Sequence, residues 1–189
     1  MNLAALLSST TLVAVAEIGD KTQLLSFVLA ARLQRPWSII AGILVATLAN
    51  HAIAASVGVW IASLVSPTTM QIIVGSAFVI FGVWTLSPDS LEFDESHLRA
   101  GAFVATLVAF FFVEMGDKTQ LATVALAARY PANLVTVVAG TTLGMLAANA
   151  PAVVIGEALS ERVPFRYVRW VAAALFIAMG AATFATTLA

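Results

Sequence analysis

Long apolar segments separated by short polar turns make up most of the chain. A helix that crosses a bilayer needs about 20 apolar residues, each rising about 1.5 Å. Arg35-Pro36, Ser66-Pro67 and Tyr130-Pro131 are turn signals between such segments. The pattern predicts six spans, at Leu3–Ala31, Trp37–Leu64, Met70–Leu86, Gly101–Ala128, Leu134–Ile155 and Val168–Leu188. The expected fold class is therefore an all-α integral membrane protein with six transmembrane helices.

The composition excludes several other classes of protein. Apolar residues make up 61% of the 189 residues and charged residues 10%, against about 45–50% and about 25% in soluble domains. The net charge is −1 and no basic run occurs, so we do not expect a nucleic-acid partner. Because the chain has no cysteine, disulfides, thiolate metal sites and thiol catalysis are excluded. The expected surroundings are the lipid bilayer.

The positive charges outside the spans indicate an orientation. One side of the predicted membrane receives six arginines, at Arg32, Arg35, Arg99, Arg162, Arg166 and Arg169, and the other side receives only Arg129. Positive residues favour the cytoplasmic side. We therefore expect both termini outside and the acidic loop 87–99 in the cytoplasm. Residues 1–16 carry no lysine or arginine, so no cleaved signal peptide is expected.

An internal repeat organises the chain. The segment Glu17-Ile18-Gly19-Asp20-Lys21-Thr22-Gln23-Leu24 recurs 97 positions later as Glu114-Met115-Gly116-Asp117-Lys118-Thr119-Gln120-Leu121. After one inserted residue the offset becomes 98, which matches Gly42 with Gly140 and Phe78 with Phe176. Residues 1–86 and 100–189 thus form two three-helix repeats joined by the linker 87–99. Three is odd, so the second copy is expected to be inverted in the membrane, as in alternating-access transporters.

The repeated segment carries charged residues at the centres of two spans. Each such residue costs about 2.5–3.5 kcal/mol to insert, so six of them are expected to converge on one protein-lined site: Glu17, Asp20, Lys21, Glu114, Asp117 and Lys118. On a continuous helix Glu17, Asp20, Lys21 and Leu24 share one face. Both spans are too long to be perpendicular, so we expect them to be tilted, kinked or broken. A break would fall at Gly19 and Gly116 and would free backbone carbonyls as ligands.

The charges of this cluster sum to −2, which one divalent cation or two protons would neutralise. Carboxylate oxygens suit Mg²⁺, Ca²⁺ or Mn²⁺, and protons compete for carboxylates that repel one another. This is the chemistry of an electroneutral antiporter. In a second interpretation each lysine pairs permanently with an acid of its own helix. In a third, the lysines pair with acids while the site is empty.

Further polar residues repeat or lie near the span centres. The candidates for secondary ligands or site-lining residues are Lys21, Thr22, Gln23, Lys118, Thr119, Gln120, Asn50 and Asn149, with Ser26, Thr123 and His51 beside them. Hydrogen bonding between helices is a common role for polar residues in membranes, and for these residues both roles remain open.

The paired Glu-x-Gly-Asp-Lys-Thr motif resembles the MneA-type manganese exporter and Golgi Ca²⁺/Mn²⁺–proton antiporter family of the cation/Ca²⁺ exchanger superfamily. The resemblance covers the whole chain and implies a location in the bacterial inner (plasma) membrane. It implies that Glu17, Asp20, Glu114 and Asp117 bind the metal, with Thr22 and Thr119 close by. It also implies export of Mn²⁺, or Ca²⁺, from the cytoplasm in exchange for protons, with no cofactor, no catalytic residue and no enzyme activity.

Other functions compete with this interpretation. A Mg²⁺ or Ca²⁺ channel or uptake carrier would move metal independently of a pH gradient. An intramembrane aspartyl hydrolase would use Asp20 and Asp117 as two acids that share a proton, although the adjacent lysines oppose such sharing. A purely structural subunit would not explain the cost of buried charge. An oligomer is compatible with the sequence, but nothing in the sequence indicates one.

Overall fold

The computed structural model describes residues 2–87, 101–155 and 165–188. These residues form eight α-helices and no β-strand occurs among them, which confirms the all-α class. The helices are α1 (Leu3–Glu17), α2 (Lys21–Leu33), α3 (Pro36–Leu64), α4 (Pro67–Thr85), α5 (Ala102–Glu114), α6 (Lys118–Arg129), α7 (Leu134–Ile155) and α8 (Phe165–Leu188), with a 3-10 turn at Pro131–Asn133. The predicted linker 87–99 beyond Ser87, including Arg99, and also Arg162 lie outside the described residues.

Several helices begin where the turn signals predicted a boundary. Pro36 and Pro67 lie in the first turns of α3 and α4, where an N–H group would have no helical partner to lose. Ser66 caps α4, because its hydroxyl oxygen accepts a hydrogen bond from the Thr69 N–H at 3.2 Å. Consequently α3, α4, α7 and α8 lie within three residues, at every end, of the second, third, fifth and sixth predicted spans.

Four of the described helices are long and apolar enough to cross a bilayer: α3, α4, α7 with its preceding 3-10 turn, and α8 over Arg169–Thr186. α1 and α2 meet the same criterion only as a pair, and they are bent by 67° relative to each other. α5 is apolar but shorter. By length and composition, the described part of the chain therefore contains four spans, or five when the bent pair counts as one.

The first and fourth predicted spans are each broken. Three residues separate α1 from α2, and three separate α5 from α6. At the centre of these breaks Gly19 and Gly116 have φ angles of 82° and 78°, a left-handed conformation that glycine adopts without the steric cost of a Cβ atom. Of the three expected geometries, the broken one is observed, and it falls at the two glycines as predicted.

The two breaks lie against the long helices α7 and α3. α1 and α2 pack on α7, while α5 and α6 pack on α3. Glycines permit close contacts between these helices: a Cβ atom at Gly140 would lie 2.9 Å from the carbonyl oxygen of Leu6, and one at Gly42 would lie 2.8 Å from that of Phe103. α4 packs on α8. The middle of the molecule is thus occupied by two helix breaks, each supported by a continuous helix.

Candidate functional site

A glutamine side chain closes each helix break. The N–H of Gly19 donates a hydrogen bond to Gln23 Oε1 at 2.8 Å, and the N–H of Gly116 donates to Gln120 Oε1 at 2.6 Å. Gln23 Nε2 in turn donates to the carbonyl oxygen of Ala148 in α7 at 3.0 Å. The glutamines therefore satisfy backbone groups that the breaks leave without helical partners, and they connect a break to a long helix.

Asn50 of α3 connects the two helices on either side of the second break, α5 and α6. Its Oδ1 accepts a hydrogen bond from Gln120 Nε2 at 2.9 Å, and its Nδ2 donates to the carbonyl oxygen of Phe111 at 2.9 Å. One side chain thus contacts the last turn of α5 and the first turn of α6. For Gln23, Gln120 and Asn50, the observed contacts are hydrogen bonds between helices, one of the two roles that the sequence left open.

Three carboxylates converge at the centre of the molecule. Glu17, Glu114 and Asp117 can each present one oxygen such that the three oxygens lie within 4.8 Å of one another. Their residues are 0%, 1% and 3% exposed. Glu17 is the last residue of α1, Glu114 the last of α5, and Asp117 the residue that precedes α6. The two breaks therefore bring together acids that are about a hundred positions apart in sequence.

A buried threonine hydroxyl orients each glutamate. Thr22 donates a hydrogen bond to Glu17 Oε2, and Thr119 donates to Glu114 Oε1. Among the described residues, the other oxygen of each glutamate, Oε1 of Glu17 and Oε2 of Glu114, is buried and has no hydrogen-bond partner. Each glutamate is thus held through one oxygen, and its second oxygen is a candidate for binding a cation or a proton.

The two lysines pair with aspartates of the opposite motif. Lys21 Nζ lies 2.8 Å from Asp117 Oδ1, and Lys118 Nζ forms an ion pair with Asp20 Oδ1. The interpretation in which each lysine pairs with an acid of its own helix is therefore wrong, because the breaks turn the lysines across the interface between the motifs. The pairs are unequally buried: the Lys21 side chain is 23% exposed and that of Lys118 is 3% exposed.

Asn149 of α7 also contacts this site. Its Nδ2 lies 3.4 Å from Glu17 Oε2, and its Oδ1 accepts a hydrogen bond from Ser26 Oγ at 2.9 Å. The amide therefore donates to a carboxylate of the site and does not present its oxygen there. Thr123, the counterpart of Ser26, donates to the carbonyl oxygen of Thr119 at 2.9 Å within α6.

The predicted shared helical face is wrong in detail. Glu17, Asp20, Lys21 and Leu24 do not lie on one helix, because α1 ends at Glu17 and α2 begins at Lys21. Leu121, the counterpart of Leu24, is 37% exposed. The charged residues nevertheless converge, as the cost of burying them required. Convergence is achieved by the breaks, so the 3.6-residue periodicity of a continuous helix does not determine the site.

Sequence reasoning did not anticipate the exchange of lysines between the motifs or the closing of the breaks by Gln23 and Gln120. Both glutamines were visible as repeated residues. Their positions four residues after a glycine that breaks a helix were a usable signal, since a side chain at that distance can reach back one turn.

The arrangement is suited to binding a hard divalent cation. Converging carboxylates supply the oxygen ligands that such ions prefer. Because the carboxylates are buried away from water, their electrostatic attraction for a cation is stronger than it would be in solvent. The hydrolase alternative is not favoured, because Asp20 and Asp117 each pair with a lysine and so do not form a pair of acids that share one proton.

Comparison with known proteins agrees with this chemistry. The chain matches the family described as "Divalent cation/proton antiporter GDT1" over residues 5–92 and 102–189. It is 49% identical over 181 residues to a Vibrio cholerae protein named "Putative manganese exporter", an alignment that covers 96% of this chain and 90% of that protein. No solved structure matches the chain.

More distant relatives come from photosynthetic organisms. The chain is 28% identical over 196 residues to GDT1-like protein sll0615 of Synechocystis, covering 92% of this chain and 93% of that protein. It is 26% identical over 208 residues to GDT1-like protein 3 of Arabidopsis thaliana, covering 95% of this chain and 70% of that protein. Both Glu-x-Gly-Asp-Lys-Thr motifs lie within the residues matched to the family, which confirms the resemblance drawn from them. The chain belongs to the GDT1 family of divalent cation/proton antiporters, whose members are membrane transporters and not enzymes.

Proposed function

We propose that this protein exports Mn²⁺ from the cytoplasm in exchange for protons, through one central site to which both motifs contribute. The observation that carries the proposal is the convergence of Glu17, Glu114 and Asp117, which can bring one oxygen each within 4.8 Å of the others. The name of the Vibrio cholerae relative supports Mn²⁺ as the substrate. The family supports the proton as the counter-ion.

The observed ion pairs suggest which acids carry the exchangeable charge. Asp117 is paired with Lys21 and Asp20 with Lys118, so these four charges cancel. Glu17 and Glu114 remain, with a joint formal charge of −2. One Mn²⁺ or two protons would balance them, and exchange of one for two would move no net charge across the membrane.

Coupling to protons has an energetic reason. An inside-negative potential opposes the export of cations by about 2.3 kcal/mol per charge per 100 mV. A divalent ion therefore faces about twice that value. Exchange for two protons removes the electrical term, so the pH gradient alone can drive export, whereas a channel would let the cation in.

We propose the following residue roles. Glu17, Asp20, Glu114 and Asp117 bind the metal. Thr22 and Thr119 orient the two glutamates, and Asn149 donates to Glu17. Lys21 and Lys118 neutralise the aspartates in the metal-free protein and release them when metal binds, which is the third of the interpretations left open by the sequence. Gln23, Gln120 and Asn50 line the site and maintain the helix breaks.

The proposed architecture is six spans in two inverted three-helix repeats, residues 1–86 and 100–189, joined by the linker 87–99. Three features support it. The pair α5–α6 is broken at the same motif position as α1–α2. The segments matched to the family begin 97 residues apart, at residues 5 and 102. The ion pairs are reciprocal, each lysine binding the other motif's aspartate, as expected of elements related by a two-fold axis.

Unequal packing of equivalent helices supports alternating access. α4 packs on α6, whereas its counterpart α8 packs on α1. The two lysines also differ in exposure, 23% for the Lys21 side chain and 3% for that of Lys118. Exchange of these two arrangements between the halves would open the central site to the other side of the membrane. We propose that the protein lies in a bacterial inner membrane, with both termini on the side away from the cytoplasm.

The test uses the protein in liposomes that contain a pH indicator. We expect added Mn²⁺ to enter and to move protons out, without a measurable current, and we expect Ca²⁺ to be slower. Glu17→Gln and Asp20→Asn should abolish both movements, because each removes a carboxylate of the site. Ser56→Ala, which changes an exposed hydroxyl of α3, should behave as wild type. Metal entry without proton movement would show a channel or another coupling ion and would refute the proposal.

A further inference from the structure

His51 of α3 is the most unusual buried polar residue outside the four carboxylates. It is 0% exposed. Among the described residues, neither ring nitrogen has a hydrogen-bond partner. Buried polar groups in folded proteins are almost always hydrogen-bonded or bound to metal, and imidazole is a common metal ligand. Two unpartnered nitrogens in the protein interior therefore point to a ligand that the protein itself does not supply.

The packing of α3 indicates which neighbouring helix the face that carries His51 lies against. Asn50 contacts Gln120 in the first turn of α6. A Cβ atom at Gly58 would lie 2.2 Å from the carbonyl oxygen of Val124, so α3 and α6 run in the same direction. His51 precedes Gly58 by seven residues, or two helical turns, and so lies on the same face of α3. Two turns before Val124 is the start of α6, next to Asp117.

The repeat leads to the same location. With the offset of 98, His51 corresponds to Asn149. Asn149 Nδ2 lies 3.4 Å from Glu17 Oε2, and the counterpart of Glu17 is Glu114. By the same relation the repeat predicts that His51 is directed toward Glu114, whose Oε2 atom is buried and lacks a hydrogen-bond partner among the described residues. The helix packing and the repeat are separate observations, and both direct the imidazole toward the second half of the site, although His51 is not among the residues whose ligand atoms already lie within 4.8 Å of one another in the described structure.

We propose that His51 is a specificity-determining ligand, which adds one nitrogen donor to the carboxylate site on the side of Glu114. This inference rests on the proposed transport function. Ca²⁺ and Mg²⁺ take oxygen ligands almost exclusively. First-row transition metal ions gain more from a nitrogen donor, and the gain increases from Mn²⁺ through Co²⁺. His51 thus favours Mn²⁺ over Ca²⁺, and it makes Co²⁺ a competing substrate of the same site.

A neighbouring hydroxyl lies where it could fix the ring. Thr47 precedes His51 by four residues, so the two side chains lie one turn apart on the same face of α3. Thr47 is 1% exposed, and its Oγ1 likewise has no hydrogen-bond partner among the described residues. A metal-bound histidine commonly donates its other N–H to such an oxygen, which fixes the orientation of the ring.

The transport test compares His51→Asn, which copies the residue found at the equivalent position 149, with Ser56→Ala on the same helix. For each variant the initial rates with Mn²⁺, Co²⁺ and Ca²⁺ are measured in the liposome assay. We expect His51→Asn to lower the Mn²⁺/Ca²⁺ rate ratio by about tenfold, a typical loss at a metal site. Ser56→Ala should keep the wild-type ratio. An unchanged ratio in folded His51→Asn would overturn the inference while leaving the transport function intact.

A spectroscopic test does not depend on transport. The chain has two histidines, so His97→Asn leaves His51 alone. Electron spin echo spectra of Mn²⁺ bound to purified His97→Asn protein should show modulation from an imidazole nitrogen, which changes on ¹⁵N-histidine labelling. The modulation should be absent when His51→Asn is added. Bound Mn²⁺ without nitrogen modulation would refute ligation by His51, whereas absence of proton-coupled Mn²⁺ transport in the wild type would refute the proposed function.

Discussion

At the scale of single residues, the threonine that follows each Asp-Lys pair has a defined task. Thr22 and Thr119 donate hydrogen bonds to Glu17 and Glu114. Hydrogen bonds to charged groups contribute about 1.5–3 kcal/mol, and all four residues are buried. The hydroxyls therefore fix the direction in which each glutamate presents its second oxygen.

Replacement of Thr22 by valine keeps the shape of the side chain and removes the donor. We expect Thr22→Val to weaken Mn²⁺ binding by roughly tenfold or more, the equivalent of about 1.5 kcal/mol, because Glu17 loses its orienting partner. Thr22→Ser keeps a hydroxyl and should retain most of the affinity. Titration of purified protein with Mn²⁺ by calorimetry measures both variants. Equal affinities for valine and serine would mean that the hydrogen bond does not matter for binding.

The ion pair between Lys21 and Asp117 can be tested in the same way, by a substitution that removes one partner. Lys21→Met leaves Asp117 without its partner at 2.8 Å, so the free protein should lose stability, since an unpaired buried charge is costly. Added Mn²⁺ would supply the missing positive charge. We therefore expect a larger Mn²⁺-induced rise in the unfolding temperature of Lys21→Met than of wild type. A smaller rise would indicate that Lys21 helps to bind the metal.

At the scale of elements, the decisive feature is that the first and fourth predicted spans are broken, at Gly19 and Gly116. Glutamines close the breaks, and Asn50 ties α5 to α6. The breaks place the carboxylates at helix ends, where their orientation differs from that on a continuous helix. The site therefore depends on a backbone conformation that few residues other than glycine adopt readily.

Gly116 offers a clean test of that dependence. Its φ is 78°, and a Cβ atom there would meet nothing within 4 Å, so Gly116→Ala strains only the backbone, by about 1 kcal/mol. Gly101, with a φ of 87° and equally open surroundings, is a matched control outside the site. We expect both alanine variants to lower the unfolding temperature, but only Gly116→Ala to reduce Mn²⁺/proton exchange. Similar transport losses in both would show that stability alone is responsible.

At the scale of the whole molecule, the proposed inverted repeat makes a claim about sides of the membrane. The turn after α2 and the turn after α6 are equivalent in the repeat, but inversion places them on opposite faces. Because the chain has no cysteine, single cysteines can be introduced against an empty background. Exposed positions in these turns are suitable for the cysteines, because they lie outside the candidate site.

We expect Gln34→Cys to react with a membrane-impermeant maleimide only from the cytoplasmic side, and Ala132→Cys only from outside. Gln34 follows α2, and Ala132 lies in the 3-10 turn after α6. Intact cells and inverted vesicles provide the two directions of access. Both cysteines must also preserve Mn²⁺/proton exchange, which controls for misfolded protein. Labelling of both from one side would exclude the inverted arrangement.

The sequence by itself determined the class of this protein and the residues of its candidate site. Apolar segments of about 20 residues predict bilayer-spanning helices because the hydrocarbon layer has a fixed thickness. The cost of charge in that layer singles out Glu17, Asp20, Glu114 and Asp117 as a candidate functional cluster. Both statements rest on local composition and on a repeated motif, so they need no knowledge of which helices touch.

Only the tertiary structure decided how these residues meet. Residues from helices far apart in sequence are in contact: Lys21 pairs with Asp117, and Asn149 contacts Glu17. The burial of His51 is likewise a result of helix packing. The sequence left tilt, kink and break open for two predicted spans, and the structure shows breaks in which Gln23 and Gln120 accept hydrogen bonds from freed backbone N–H groups. A local pattern does not encode contacts between distant helices, because each contact depends on how all the helices pack together.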